Sequence, residues 1–203
     1  MKPKLAMGFI LALYLLAAWG CSPSLEQFGI STQGTQFEKL DHEGNPLSAK
    51  RQSWSCVKDT STGLIWEAKK DNERLHHNTA TYTQTGPGQG SCNSTETGRC
   101  TTADFIAAVN QTALCGYSDW RLPSATELSS LMEAQPKPNP QVCDCFFPHT
   151  QRGPYWSSSV GTNTTENQFK AIHFSSGATL QAKGSSSFYV RLVRGNQQES
   201  EDR

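Results

Sequence analysis

Seven cysteines, five histidines and one tight charged run are where the residue types of this 203-residue chain could do chemistry. The run is Trp120-Arg121-Leu122-Pro123-Ser124, with Glu127 three residues on. An arginine beside a carboxylate is the makings of an anion clamp and a general acid. The same spacing also has an architectural reading. Ser124 and Glu127 form S-x-x-E, in which the hydroxyl accepts from the Glu127 amide and the carboxylate reaches back to the Ser124 amide. Trp120 and Leu122 alternate with Arg121 toward the core edge, and a paired arginine at a fold junction satisfies carbonyls. Trp120, Arg121, Leu122, Pro123, Ser124 and Glu127 are therefore read as frame, with no catalytic residue among them.

The other candidates are weaker. Cys143-Asp144-Cys145 lacks the two-residue spacer of thioredoxin-like motifs, so the two thiols are expected to bond to separate partners, with Cys56 and Cys115 open to them and the pairing unassigned. Cys92 and Cys100 are expected to close a local loop. His76-His77 on a polar loop reads as surface, and neither that pair nor His149 or His173 has a cysteine or carboxylate at a spacing that would complete a zinc site. Asp41-x-Glu43-Gly44-Asn45 lacks the ordered series and closing glutamate of a calcium loop. Ser157, Ser158 and Ser159 have no G-x-S-x-G elbow around them. The expectation is no metal and no cofactor.

Lys plus Arg equals Asp plus Glu at 18 each, which gives no electrostatic reason to expect nucleic acid as a partner. Residues 1–20 carry Lys2 and Lys4 before an apolar stretch from Leu5 to Ala18 and read as a signal peptide. The following Cys21 resembles the lipidated cysteine of a bacterial lipobox. Lipidation of one of the 7 cysteines leaves an even set for disulfides, which fits an oxidising compartment. A lipid on Cys21 would anchor the chain stably. Ser22 behind it resembles a sorting signal for the outer membrane, with the displayed face left open.

These residues need elements to position them. Residues 21–36 read as lipidated cysteine and flexible tether, 37–195 as one domain and 196–203 as a polar tail. "FEKLDHEGNPL" and "WSCVKDTSTGLIWE" each suggest a β-hairpin, the second turning at Asp59 to Gly63. A helix is expected from a cap at Thr101 or Thr102, with Phe105, Ile106, Val109 and Ala113 on one face. A second starts at Ser124, carries Leu128, Leu131 and Met132 inward and ends at Pro136. Beyond "QPKPNP", an extended connector, "PYWSSS", "FKAIHF", "ATLQA" and "SFYVRLVR" read as strands, with a turn at Ser175-Ser176-Gly177.

Four stretches, "CVKDTSTGLIWE", "FIAAVNQTALCGYSDWRLPSATELSSLM", "YWSSS" and "FYVRLVRG", resemble in order the Lcl C-terminal domain family, named for a bacterial collagen-like adhesin. The likeness covers roughly residues 37–195. Its "WRLP…EL" run is similar to that of formylglycine-generating and related sulfatase-modifying domains. The resemblance implies an α+β, C-type-lectin-like domain: two helices, a small twisted antiparallel sheet and long disulfide-stapled loops. It also implies a non-catalytic, adhesin-like binding role toward glycans or surface polymers. Arg99, Arg152, Lys170 and Lys183 are candidate contacts for anionic sugars, and Trp156, with Tyr155, Trp120 and Tyr117, for a stacking groove. An envelope assembly protein is a second reading. A sulfatase-modifying enzyme is a third, although the spacing of its reactive cysteine pair is not matched here. Ligand identity, calcium dependence and oligomeric state are not legible.

Overall fold

The structure, a computed structural model, describes residues 36–71, 75–86, 91–92, 100–133, 145–162 and 167–195. Residues 1–35 with Cys21, Arg99, the "QPKPNP" connector with Pro136, Cys143 and the tail 196–203 lie outside the described residues.

The Asp59 to Gly63 turn forms as its residue types require. The Asp59 carboxylate accepts from the Ser61 amide at 2.9 Å and Gly63 takes φ +75°, a left-handed value that glycine adopts without steric cost. On either side run β2 (Cys56–Asp59) and β3 (Ile65–Glu67), antiparallel with Val57 opposite Trp66. β1 (Phe37–Leu40) pairs with the free edge of β2, and β7 (Val193–Arg194) with that of β3, giving a four-stranded sheet β1-β2-β3-β7. The expected hairpin at 37–47 is reduced to an isolated bridge between Leu40 and Pro46. Its turn is closed by backbone and side chain together: the Asp41 amide donates to the Asn45 carbonyl, and its carboxylate accepts from the Glu43 and Asn45 amides.

Helix α1 (Thr102–Gln111) starts at a capping box in which Thr101 Oγ1 accepts from the Asp104 amide at 3.1 Å. Phe105 and Val109 are buried from it. Ala113, expected on that face, is exposed at φ 49°, because the chain reverses there through a single 3₁₀ turn, Leu114–Gly116. Cys115 is also left-handed, at φ 53°, a conformation that costs a non-glycine residue on the order of 1–3 kcal/mol. Two contacts hold the reversal in place. Cys115 is bonded to Cys56, and a Cβ on Gly44 would lie 2.5 Å from the Cys115 carbonyl oxygen. Helix α2 (Ala125–Glu133) buries Leu128, Leu131 and Met132.

β4 (Pro154–Val160), β5 (Gln168–His173) and β6 (Thr179–Lys183) form a second antiparallel sheet in that order. Two sheets therefore replace the one expected. "SFYVRLVR" is a strand only at Val193–Arg194; before that, Phe188 and Tyr189 make single bridges to Tyr82 and Tyr155. This segment passes between the sheets and bonds to both, which regular pairing with either would prevent. One core gathers Ile65, Phe105, Val109, Trp120, Trp156 and Leu192 on the α1 side, and the other Val57, Trp66, Leu128, Leu131, Tyr155 and Ile172 on the α2 side.

Candidate functional site

Arg121 and Glu127 meet in a two-pronged ion pair, Nη1 to Oε2 at 2.8 Å and Nη2 to Oε1 at 2.7 Å. Glu127 also accepts from the Ser124 amide at 2.7 Å, while the Glu127 amide donates to Ser124 Oγ at 3.1 Å. Arg121 further donates to the carbonyls of Leu122 and Gly195, so the C-terminal end of β7, the Trp-Arg-Leu-Pro run and the start of α2 are tied at one guanidinium. Trp120 is clamped by Asn110, whose side chain accepts from its amide at 2.8 Å and donates to its carbonyl at 3.1 Å. The Arg121 and Glu127 side chains are thus engaged with each other, each prong of the guanidinium on one carboxylate oxygen.

The charged centre of the domain lies elsewhere. Glu67 is fully buried: Oε1 accepts from Lys69 Nζ at 2.8 Å and contacts His76 Nδ1 at 2.9 Å, and Oε2 accepts from the Leu192 amide at 3.0 Å. Lys69 is buried too and sits 4.5 Å above the ring of Phe105. Burial alone would raise the Glu67 carboxyl, but the Lys69 charge and the His76 contact override it and hold the group at about 2. For Lys69, burial works toward the neutral amine and lowers the pKa against the pull of Glu67. Arg191, also fully buried, donates to the Glu67 carbonyl at 2.7 Å and to Thr150 Oγ1 at 2.9 Å, over the ring of Phe147. Its Nε and the Trp66 Nε1 have no hydrogen-bond partner among the described residues. His76, expected at the surface, is buried because this network draws it in. The sequence signal for the network is a pair of charges two apart in "WEAKK", which an extended chain turns to one side, and an arginine inside the apolar "YVRLV".

Cys56 is bonded to Cys115 and Cys92 to Cys100. That corrects the expectation that Cys143 and Cys145 take Cys56 and Cys115 as partners: β2 brings Cys56 under the 3₁₀ turn that holds Cys115. Cys145 is itself disulfide-bonded, and no described cysteine is free. The three serine hydroxyls of β4 serve the fold. Ser157 donates to the Lys170 carbonyl, Ser158 to the Pro123 carbonyl, and Ser159 accepts from the Ala125 amide at the start of α2. Among the described residues no group of three or more metal-ligating side chains is found.

Of the candidate sugar contacts, Trp156 is buried, its Nε1 donating to the Tyr82 carbonyl at 2.7 Å. Tyr155 and Trp120 are equally enclosed, and Tyr117 is covered by the Arg194 guanidinium at 3.9 Å. The stacking groove expected from these aromatics is thus core, which follows from their packing between two sheets and two helices. Lys170 and Lys183 do come together. Lys170 is opposite Gln181 and Gln168 opposite Lys183, so all four project from one face of the second sheet. On that face Ile172 is packed under α2, Gln168 and Lys170 are half-buried, and Thr179, Gln181 and Lys183 are exposed. Neither lysine has a carboxylate partner among the described residues. Arg152 is exposed at the other end of this sheet, beyond Pro154, which is paired with His173.

The molecule is thus a disulfide-stapled α+β module whose Trp-Arg-Leu-Pro run is bonded into its frame and which carries two lysines on one sheet face. The family model described as the Lcl C-terminal domain matches residues 55–194; the chain belongs to that family. No curated protein matches the chain.

Proposed function

We propose that this chain is a non-catalytic binding lipoprotein of the bacterial envelope, anchored through Cys21, that recognises anionic surface polysaccharides, and that its two sheets and two capped helices are a variant of the C-type-lectin-like fold. The observation that carries the binding reading is the lysine-bearing face of β5 and β6. Lys170 and Lys183 stand there as diagonal neighbours, roughly 7–8 Å apart at the backbone, flanked by Gln168 and Gln181. Two ammoniums with no carboxylate partner among the described residues offer charge for sulfate or carboxylate groups. A non-catalytic role is supported by the double engagement of Arg121 and Glu127 and by the bonded state of the described cysteines.

The test is binding of the oxidised full-length chain, in detergent, to immobilised sulfated and neutral polysaccharides across a salt series with and without a calcium chelator. The expected result is chelator-insensitive binding to the sulfated chain that weakens with salt and is reduced in Lys170→Gln/Lys183→Gln. Binding to neither polymer, or binding indifferent to that double substitution, refutes the reading.

A further inference from the structure

Two clefts meet at Lys70. One, of about 240 Å³, is lined by Gln52, Ser53, Trp54, Asp71 and His149 with Lys70; the other, of about 270 Å³, by His42, Ser55 and His76 with Lys70. Taken together they reach the several hundred Å³ typical of small-ligand sites. Lys70 lines both. Its Nζ donates to the Trp54 carbonyl at 2.8 Å and to Ser53 Oγ at 3.4 Å. Both acceptors are neutral and an ammonium has three donors, so charge and one donor remain for a ligand. No carboxylate pairs with Lys70 among the described residues.

The charge of Lys70 sets the sign of that ligand, and the surrounding groups add hydrogen-bonding nitrogens and oxygens. The imidazoles of His42, His76 and His149 line the two clefts against the single carboxylate of Asp71, which lies 4.0 Å from His149. His76 is set in place from behind: Nδ1 is held by the buried Glu67, and Nε2 has no protein partner among the described residues. A histidine oriented through one nitrogen presents the other in a fixed direction. His149 is held at φ 60°, a left-handed backbone on the order of 1–3 kcal/mol above the ordinary state and of the kind found at ligand clamps. Amide and hydroxyl groups of Gln52, Ser53 and Ser55 complete a lining suited to hydroxyl-bearing rings.

We propose that Lys70 and its two clefts are a binding subsite for a short acidic saccharide. Its carboxylate or sulfate rests on Lys70, with adjoining ring hydroxyls against Gln52, Asp71 and His149. This rests on the glycan-binding reading above and deepens it: the sheet face gathers the polymer by charge, and the Lys70 clefts select a unit of it by shape.

The test is calorimetric titration of the oxidised full-length chain in detergent with three probes. These are a hyaluronan tetrasaccharide, charged only through carboxylates, a sulfated heparin disaccharide, and neutral chitobiose. At least one charged probe should bind saturably and chitobiose should not, the stronger of the two naming the anionic group. Lys70→Gln should weaken that binding about tenfold or more, and Lys170→Gln/Lys183→Gln should leave it in place. His149→Gly should also weaken it without lowering the urea midpoint, because glycine accepts the backbone conformation. Saccharide binding unchanged by both Lys70→Gln and His149→Gly, or chitobiose binding as well as the charged probes, overturns the proposal. If no probe binds while the polymer still binds through Lys170 and Lys183, the clefts fail and the polysaccharide reading stands; if neither polymer nor probe binds, both fail.

Discussion

Replacing Glu67 with glutamine changes the shape of the buried centre little and its charge entirely. Lys69, 3% exposed at the side chain, would lose the carboxylate 2.8 Å away and keep a buried ammonium with no counter-charge on that side. Removing one partner of a buried pair costs about 3–5 kcal/mol, and for a domain of this size each kcal/mol is worth roughly 2–4 °C in Tm. Glu67→Gln should therefore lower the urea-derived stability at pH 7 by about 3–5 kcal/mol, with the slope unchanged. The second substitution, Lys69→Met in the Glu67→Gln background, should recover much of the loss, because a neutral side chain of similar volume removes the buried ammonium left without its counter-charge. Acid gives an independent readout. The carboxyl lies at about 2 in the fold against 4.5 ordinarily. Its contribution is present above 4.5 and is lost as the pH falls from there through about 2. Glu67→Gln should lack that share of acid sensitivity, on the order of 3 kcal/mol. A loss at pH 7 below about 1 kcal/mol, or a double variant no more stable than Glu67→Gln, would refute the assignment of Glu67 as the counter-ion that holds Lys69.

Three further outcomes follow from the frame. Ser124→Ala should cost about 1 kcal/mol in chemical unfolding, the usual price of a lost N-cap. Cys56→Ser/Cys115→Ser opens a loop of sequence separation 59 and should destabilise by about 4 kcal/mol on the chain-entropy estimate, whereas Cys92→Ser/Cys100→Ser, separation 8, should cost about 2.5 kcal/mol. Comparing the two double variants by thermal unfolding checks the order. Gly44→Ala would place a methyl 2.5 Å from the Cys115 carbonyl at φ +89° and should destabilise by more than about 2 kcal/mol, readable as a fall in the urea midpoint.

What was legible in the sequence was what neighbours decide. The Asp59 to Gly63 turn, the cap at Thr101 and the box at Ser124 are set by side chains bonding to backbone within four residues, and all three form as expected. The division into two sheets was not legible, because it depends on residues 188–192 bonding to both. Nor was the burial of Trp156, whose fate is decided by Tyr82, 74 positions away. The cysteine pairing failed for the same reason: the approach of Cys115 to Cys56 is made by the reversal after α1. The binding surface was partly readable. Lys170 and Lys183 stand out as basic residues, but only the β5 to β6 register shows that they share a face. Nothing in the residues beside Lys70 marks it, since its clefts are lined by stretches of chain that meet only in the fold.

The partner that β3 requires arrives late in synthesis. Leu192, whose amide bonds the Glu67 carboxylate, is 125 residues downstream, and β7 completes the sheet at Val193 and Arg194. Until those residues exist, Glu67 lacks one of its donors and β3 is a bare edge. The cysteine at 115 is made much earlier, so the Cys56 to Cys115 link can close before the sheet it will staple. Topologies in which early and late segments must meet fold slowly, and here the last strand acts as the clasp: a chain interrupted a few residues before Val193 keeps its helices' caps and turns but cannot close its centre.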